Sequence, residues 1–242
     1  DGEGHHPVLY RLEFPERSEV YRTALAKVSA AIADGHNRYQ VGEMQAQAMG
    51  AQPGTAAAAK LAVLTSLNAA HLTIDPIHRA LQSTSNFAAL APLVRSRTAW
   101  PGSSGVAFAA AVAAAAQPSL GVWPHGGKPE IWHLDPSAAP ASVSRSAAQL
   151  AVVLLHRSLF PALGLPLSAD SDGTVLYRSD PAELHRMVTS GEATIGLYLP
   201  PMSPAEFAAA IAHGDLLPPK STRFLPKVFS GLVWAGHDAQ LA

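Results

Sequence analysis

Lys60 to Ile74 reads Lys-Leu-Ala-Val-Leu-Thr-Ser-Leu-Asn-Ala-Ala-His-Leu-Thr-Ile, and its two apolar pieces decide the class of fold. Leu61-Ala62-Val63-Leu64 and Leu72-Thr73-Ile74 are short, β-branched in part and separated by polar residues. Runs of that length suit buried strands better than helices. Upstream, Ser18 precedes a helical pattern in which Val20, Leu25, Val28 and Ile32 share a face. That pattern stops at Ala33-Asp34-Gly35, and Tyr39 to Met49 is helical again through Val41, Met44 and Ala48. Before both, Pro7 to Phe14 alternates with period two and predicts a strand. Strand, helix, turn, helix, strand, strand is the order of an α/β or α+β sheet protein, with a mixed sheet and helices on its faces.

Downstream, Asn86 to Gln117 is Ala-rich and helical in pattern, broken at Trp100 to Gly105. Leu120–Trp123 and Glu130–Leu134 flank His125-Gly126-Gly127-Lys128-Pro129 and predict a hairpin. Asp135 to Ser146 is a loop, and Ala147 to Leu163 a helix whose buried face carries Leu150, Val153, Leu154 and Leu159. Val175–Tyr177 and Ile195–Leu199 predict strands, while Asp180-Pro181 and Pro204 open helices. We divide the chain into a portion at 1–118 and a C-terminal α/β portion at 119–242, closely packed or fused into one unit.

Composition narrows the function. Among 242 residues 14% are charged, well below the roughly 25% of an average globular chain. Cysteine is absent, which removes thiol nucleophiles, disulfides and cysteine metal sites. The net charge of −1 comes without a basic stripe, against a nucleic-acid partner. Val106 to Ala116 falls short of the roughly 20 apolar residues of a membrane span. The start Asp1-Gly2-Glu3-Gly4 does not read as a signal peptide, so a cytoplasmic protein is expected. A small-molecule or protein partner remains, and the charge-poor, Ala-rich surface is compatible with a homo-oligomer.

Three stretches hold residues that folding alone does not demand. Ala33-Asp34-Gly35-His36-Asn37-Arg38-Tyr39 joins two helices, and the unpaired N–H groups at the second start attract anions. Asp34 is suited to capping or to a metal ion, and His36 and Arg38 add donors for phosphate. A capped helix with solvent-facing His and Arg would carry the same residues. Ile74-Asp75-Pro76-Ile77-His78-Arg79 sets a His-Arg pair at a strand end, where α/β folds place ligands and where a turn with a satisfied histidine also occurs. Pro218-Pro219-Lys220-Ser221-Thr222-Arg223-Phe224-Leu225-Pro226-Lys227 packs three cations and two hydroxyls between prolines. It suits a phosphate or carboxylate, or a rigid basic surface. The four tryptophans read as packing.

These stretches, in this order, resemble the prokaryotic domain-of-unknown-function family ten-fifteen. Residues 33–39 match its ADGHHRY signature, with Asn37 standing for the second histidine. His78-Arg79 matches its P-x-H-R step, Tyr177 with Asp180 its Y-x-x-D segment, and 218–227 its closing PPKSTxFxPK. That family is similar to the ParB/sulfiredoxin-like superfamily, which includes free-serine kinases. The resemblance implies a ParB/sulfiredoxin-like core and phosphoryl transfer from ATP or ADP, with Mg²⁺, to a small hydroxylated amino acid such as serine. By it Asp34 holds Mg²⁺ or orients the hydroxyl, with His36 as its catalytic companion. Gly35, Asn37, Arg38, Tyr39, Lys220, Ser221, Thr222 and Lys227 meet the nucleotide phosphates, and His78 and Arg79 meet phosphate or the amino-acid carboxylate. It also implies an upstream glutamate in an H-E pair. Glu13, Glu16 and Glu19 are the candidates, none in that context. The alternatives are a nucleotide- or phosphate-binding regulatory module without turnover, and a structural or partner-binding protein.

Overall fold

The computed structural model describes residues 10–11, 15–82, 87–165, 173–228 and 231–233. The chain forms two compact units, the first ending at Gly35 and the second beginning at His36. Within the first, α1 runs over Pro15–Leu25. Val20, Leu25, Val28 and Ile32, expected on a buried face, are all exposed. The strand predicted at 7–14 lies almost wholly outside the described residues.

The second unit opens with α2, His36–Ala48, and continues to β1 at Thr73–Asp75 and β2 at His78–Leu81. Leu61 to Leu64 is irregular rather than a strand, with Leu61, Val63 and Leu64 more than half exposed. Apolar side chains make a strand only where a neighbouring ladder takes up their backbone groups, and 61–64 pairs with no described strand. Val94–Ala99, expected as helix, is β3. Its Arg-Ser-Arg-Thr alternation, set among alanines, follows the period of a strand rather than a helix. Arg97 lies over the Trp132 ring at 4.3 Å, on an edge that its charges protect.

The later elements keep the predicted order, and a final strand at Arg223–Leu225 falls in the stretch read as a loop. Helix α3 spans Gly105–Ala114, capped by the Ser104 hydroxyl, which accepts from the Ala107 N–H. Strands β4, Ser119–Pro124, and β5, Glu130–Leu134, form the hairpin, turned at Gly126 with φ 66°. A helical stretch then runs through α4, Ala151–Leu154, a π-helical turn at Leu155–Leu159, and α5, Phe160–Ala162. After β6, Val175–Arg178, the helix α6, Pro181–Thr189, starts at Asp180, whose carboxylate accepts from the Ala182 N–H. Strand β7 is Ile195–Tyr198, α7 is Pro204–Ile211 with a Ser203/Glu206 capping box, and β8 is Arg223–Leu225.

Six strands form one sheet in the order β3-β5-β4-β7-β2-β6, every pair antiparallel. Segregated helices against such a sheet make this an α+β protein. The sheet takes β2 and β3 from before residue 118 and its other strands from after. Helices α3 and α6 cover one face. Ala80, Phe108, Trp123, Leu184, Met187 and Tyr198 form the core there. Gly121 is needed at that contact, because a Cβ would sit 2.5 Å from Val112 and 2.9 Å from Phe108. Successive strand residues alternate faces, so Arg79 points opposite to Ala80, toward the 151–162 helix. Both faces of the central strands are thus covered, which is why β4 is buried through Trp123 and β7 throughout. Among the described residues no helix is long and apolar enough to cross a membrane.

Candidate functional site

The second and third stretches of interest meet. Strand β1 pairs with β8 as a two-stranded sheet, with Ile74 opposite Phe224 and Asp75 opposite Arg223. Two residues past β1 the chain enters β2, where His78 and Arg79 are 2% and 0% exposed. A hidden guanidinium must be met by hydrogen bonds, because an unsatisfied buried charge is very costly. Its Nε–H and one Nη–H both donate to His156 Nε2, at 3.2 and 3.1 Å. The same Nη also donates to the Pro219 carbonyl at 3.2 Å, and the other Nη donates to the Ile77 carbonyl. The Tyr177 ring, directly opposite on β6, lies 4.6 Å from the guanidinium carbon.

These contacts fix proton positions. Arginine only donates, so His156 Nε2 is an acceptor and the ring's proton sits on Nδ1. Burial first, and then the charge of Arg79, push the His156 imidazole down to about 3. His78 Nδ1 accepts from the Leu199 N–H at 3.1 Å, which puts its proton on Nε2. Burial and then Arg79 push it down to about 4. Both imidazoles are neutral at pH 7, and both act as fixed hydrogen-bonding parts.

The closing loop is held from below. Pro219 and Lys220 are the central residues of a turn that the Ser221 hydroxyl closes by donating to the Pro218 carbonyl. Lys220 has φ 55°, a left-handed conformation that glycine usually supplies at this place in a turn. Its side chain is exposed, and among the described residues its ammonium has no ion-pair partner. Thr222 and Arg223 follow, half-buried, and Lys227 is exposed. Between Pro76, Leu199, Pro200, Pro201, Met202 and Ser221 lies a cleft of about 30 Å³, room for one water.

The first stretch spans the end of one unit and the start of the next. Asp34 and Gly35 end the first unit, Gly35 with φ 84°, and His36, Asn37, Arg38 and Tyr39 form the first turn of α2 with exposed side chains. Further along α2, Gly42 receives the Lys60 side chain. A Cβ at Gly42 would lie 1.6 Å from Lys60 Cε. A cleft of about 320 Å³ opens beside it, lined by Tyr39, Glu43, Gln47, Gln52 and Lys60, and shares only Tyr39 with the predicted residues.

His156 escaped the sequence reading. It sits in an apolar helix, and the π-helical turn around it shifts the register that a 3.6 spacing would assign. The Pro219 carbonyl, a backbone group, left no trace in residue types.

The second unit is thus an antiparallel α+β core in which a buried arginine hydrogen-bonds the backbone of a cationic turn. The chain belongs to the family described as Protein of unknown function (DUF1015), whose profile matches residues 1–124, just over half of its length. That match contains residues 34–39, 78 and 79, and the closing loop lies beyond it. No curated protein matches the chain by sequence. A solved structure, "Free serine kinase (E30A mutant) in complex with AMP", is similar at 13% identity and a TM-score of 0.43, over 88% of this chain and 81% of that one.

Proposed function

We propose that this protein binds nucleotide phosphates and transfers a phosphoryl group to the hydroxyl of a small amino acid such as serine. The observation that carries this reading is the Lys220 turn, which holds an exposed cation, without an ion-pair partner among the described residues, on a backbone bonded by Arg79 and Ser221. A rigid cation needs no reorganisation when phosphate charge arrives, and phosphoryl transfer depends on such preset positive charge. The 33–39 signature supports the same chemistry, since Arg38 matches phosphate with its planar fork and Asp34 accepts a proton or binds a cation.

In the step proposed, the amino-acid hydroxyl oxygen forms a bond to the terminal phosphorus of ATP or ADP. The bond from that phosphorus to the bridging oxygen breaks, and ADP or AMP leaves. The hydroxyl proton passes to the Asp34 carboxylate. Arg38, Lys220, Thr222 and Lys227 bind phosphate oxygens, with His36 and Asn37 as further donors, while the Ser221 hydroxyl proton is already given to the Pro218 carbonyl. Among the described residues no three His, Asp or Glu side chains gather as a metal site. Mg²⁺ fits that arrangement only in its usual partnership with substrate phosphates and one or two carboxylates; were Asp34 that carboxylate, it would serve as ligand rather than base. Bound so, the ion would neutralise phosphate charge.

Purified protein given serine, Mg²⁺ and ATP or ADP should form phosphoserine, detected by phosphorus NMR, and Asp34→Ala should abolish it. Activity that survives in Asp34→Ala overturns the assignment. A second reading, binding without turnover, is favoured by one observation: none of the upstream glutamates, Glu13, Glu16 and Glu19, stands in an H-E pair. Saturable nucleotide binding with no product would select it.

A further inference from the structure

Arg79 and His156 hold the only guanidinium–imidazole node that joins β2, the π-helical turn and the closing loop among the described residues. Each contact has a distinct consequence for the loop. The Pro219 carbonyl belongs to the peptide unit immediately before Lys220, so a hydrogen bond to it at 3.2 Å fixes the plane of that peptide. The φ of Lys220 is the rotation that follows this plane, and it is held at 55°. The left-handed well is unfavourable for lysine and persists only where the surroundings over-determine it. Arg79 can steady that carbonyl only if its own fork is steady. His156 Nε2 receives two of its N–H groups along one edge, and the Tyr177 ring covers its flat side.

We propose that Arg79 and His156 are positioning residues for the Lys220 turn: they touch no ligand, and they keep Lys220 in the conformation that presents its ammonium. The ligand-binding part of this inference rests on the phosphate reading given above. The neutral state of His156 is part of the arrangement, because a proton on Nε2 would turn an acceptor into a donor facing a guanidinium. His156 lies 64 residues before Lys220 in the chain, yet it sets the loop's backbone through one intermediary.

The test uses the full chain with His156→Phe, which keeps an aromatic ring and removes the acceptor, and His156→Gln, whose amide oxygen restores one. Hydrogen exchange of the β8 amides that follow the turn and pair with β1, Arg223 to Leu225, should quicken at least tenfold in His156→Phe and return toward the parent rate in His156→Gln. Affinity for Mg²⁺-ATP should fall about tenfold in His156→Phe and recover in His156→Gln. Combined with Lys220→Ala, His156→Phe should add no further loss, because its effect passes through that lysine. Additive losses, or unchanged exchange in a folded His156→Phe, overturn the proposal. Should His156→Phe fail to fold, Arg79→Lys, which keeps the charge and loses the fork, takes its place with the same expectations. If the parent protein binds no nucleotide, the phosphate reading fails while the exchange rates still decide this inference.

Discussion

Replacing Lys220 separates the strain in its backbone from the work of its side chain. At φ 55° an L-residue is destabilised by roughly 1–2 kcal/mol relative to right-handed backbone. Glycine adopts that conformation freely, but its unfolded chain is more mobile and this offsets about 0.5–1 kcal/mol. Lys220→Gly should therefore gain about 0.75 kcal/mol of stability over Lys220→Ala, which keeps the strained φ. For a chain of this size that is a rise of about 2–3 °C in melting temperature. Both variants lose the same exposed ammonium, and with it one charge-assisted contact worth about 1.5–3 kcal/mol to phosphate. Both should thus bind Mg²⁺-ATP about 10- to 100-fold more weakly than the parent. Thermal unfolding by circular dichroism and titration calorimetry on the three proteins read the two effects separately. A glycine variant that melts below the alanine variant would refute the conformational argument. Parental affinity in either variant would refute the role of the side chain.

Stability should also depend on pH through the two buried imidazoles. His78 and His156 titrate near 6.5 when unfolded but near 4 and 3 when folded, so below pH 6.5 the unfolded chain binds the extra protons. Their contribution is complete above pH 6.5 and is lost as pH falls toward 4 and then 3. The slope reaches about 2.7 kcal/mol per pH unit for two protons, and urea titrations at pH 6.5, 5.5 and 5.0 should show it; a flat profile would contradict burial of neutral rings. Gly121→Ala should destabilise by about 1–3 kcal/mol through overpacking against Phe108 and Val112, with Val112→Ala restoring part of the loss in chemical denaturation.

Much of the fold is legible where local chemistry and tertiary need agree. The hairpin turn at Gly126 and the caps at Asp180-Pro181 and Ser203-Pro204 mark their elements in residue types that few other structures would use. Strand β3 is hidden because its flanking alanines favour helix, and its pairing with β5 outweighs that preference. Leu61 to Leu64 fails in the opposite sense, as apolar content without a ladder. The candidate site is legible as stretches of chain and not as an assembly. His78-Arg79 and the closing loop are visible as unusual residues, but their union depends on the β1–β8 register and on one buried guanidinium. Periodicity carries no information about a contact across 140 residues of sequence.

Phosphate binding underlies both the proposed step and the role of Lys220, and it is measured most directly as thermal stability with ATP, ADP, CTP or pyrophosphate, each with and without Mg²⁺. A ligand at 100 times its Kd stabilises by about 2.7 kcal/mol, roughly 5–10 °C at this size. A Mg²⁺-dependent rise with at least one nucleotide is expected, cut to about half or less in Arg38→Ala and in Lys220→Ala. No shift with any nucleotide would contradict phosphate binding.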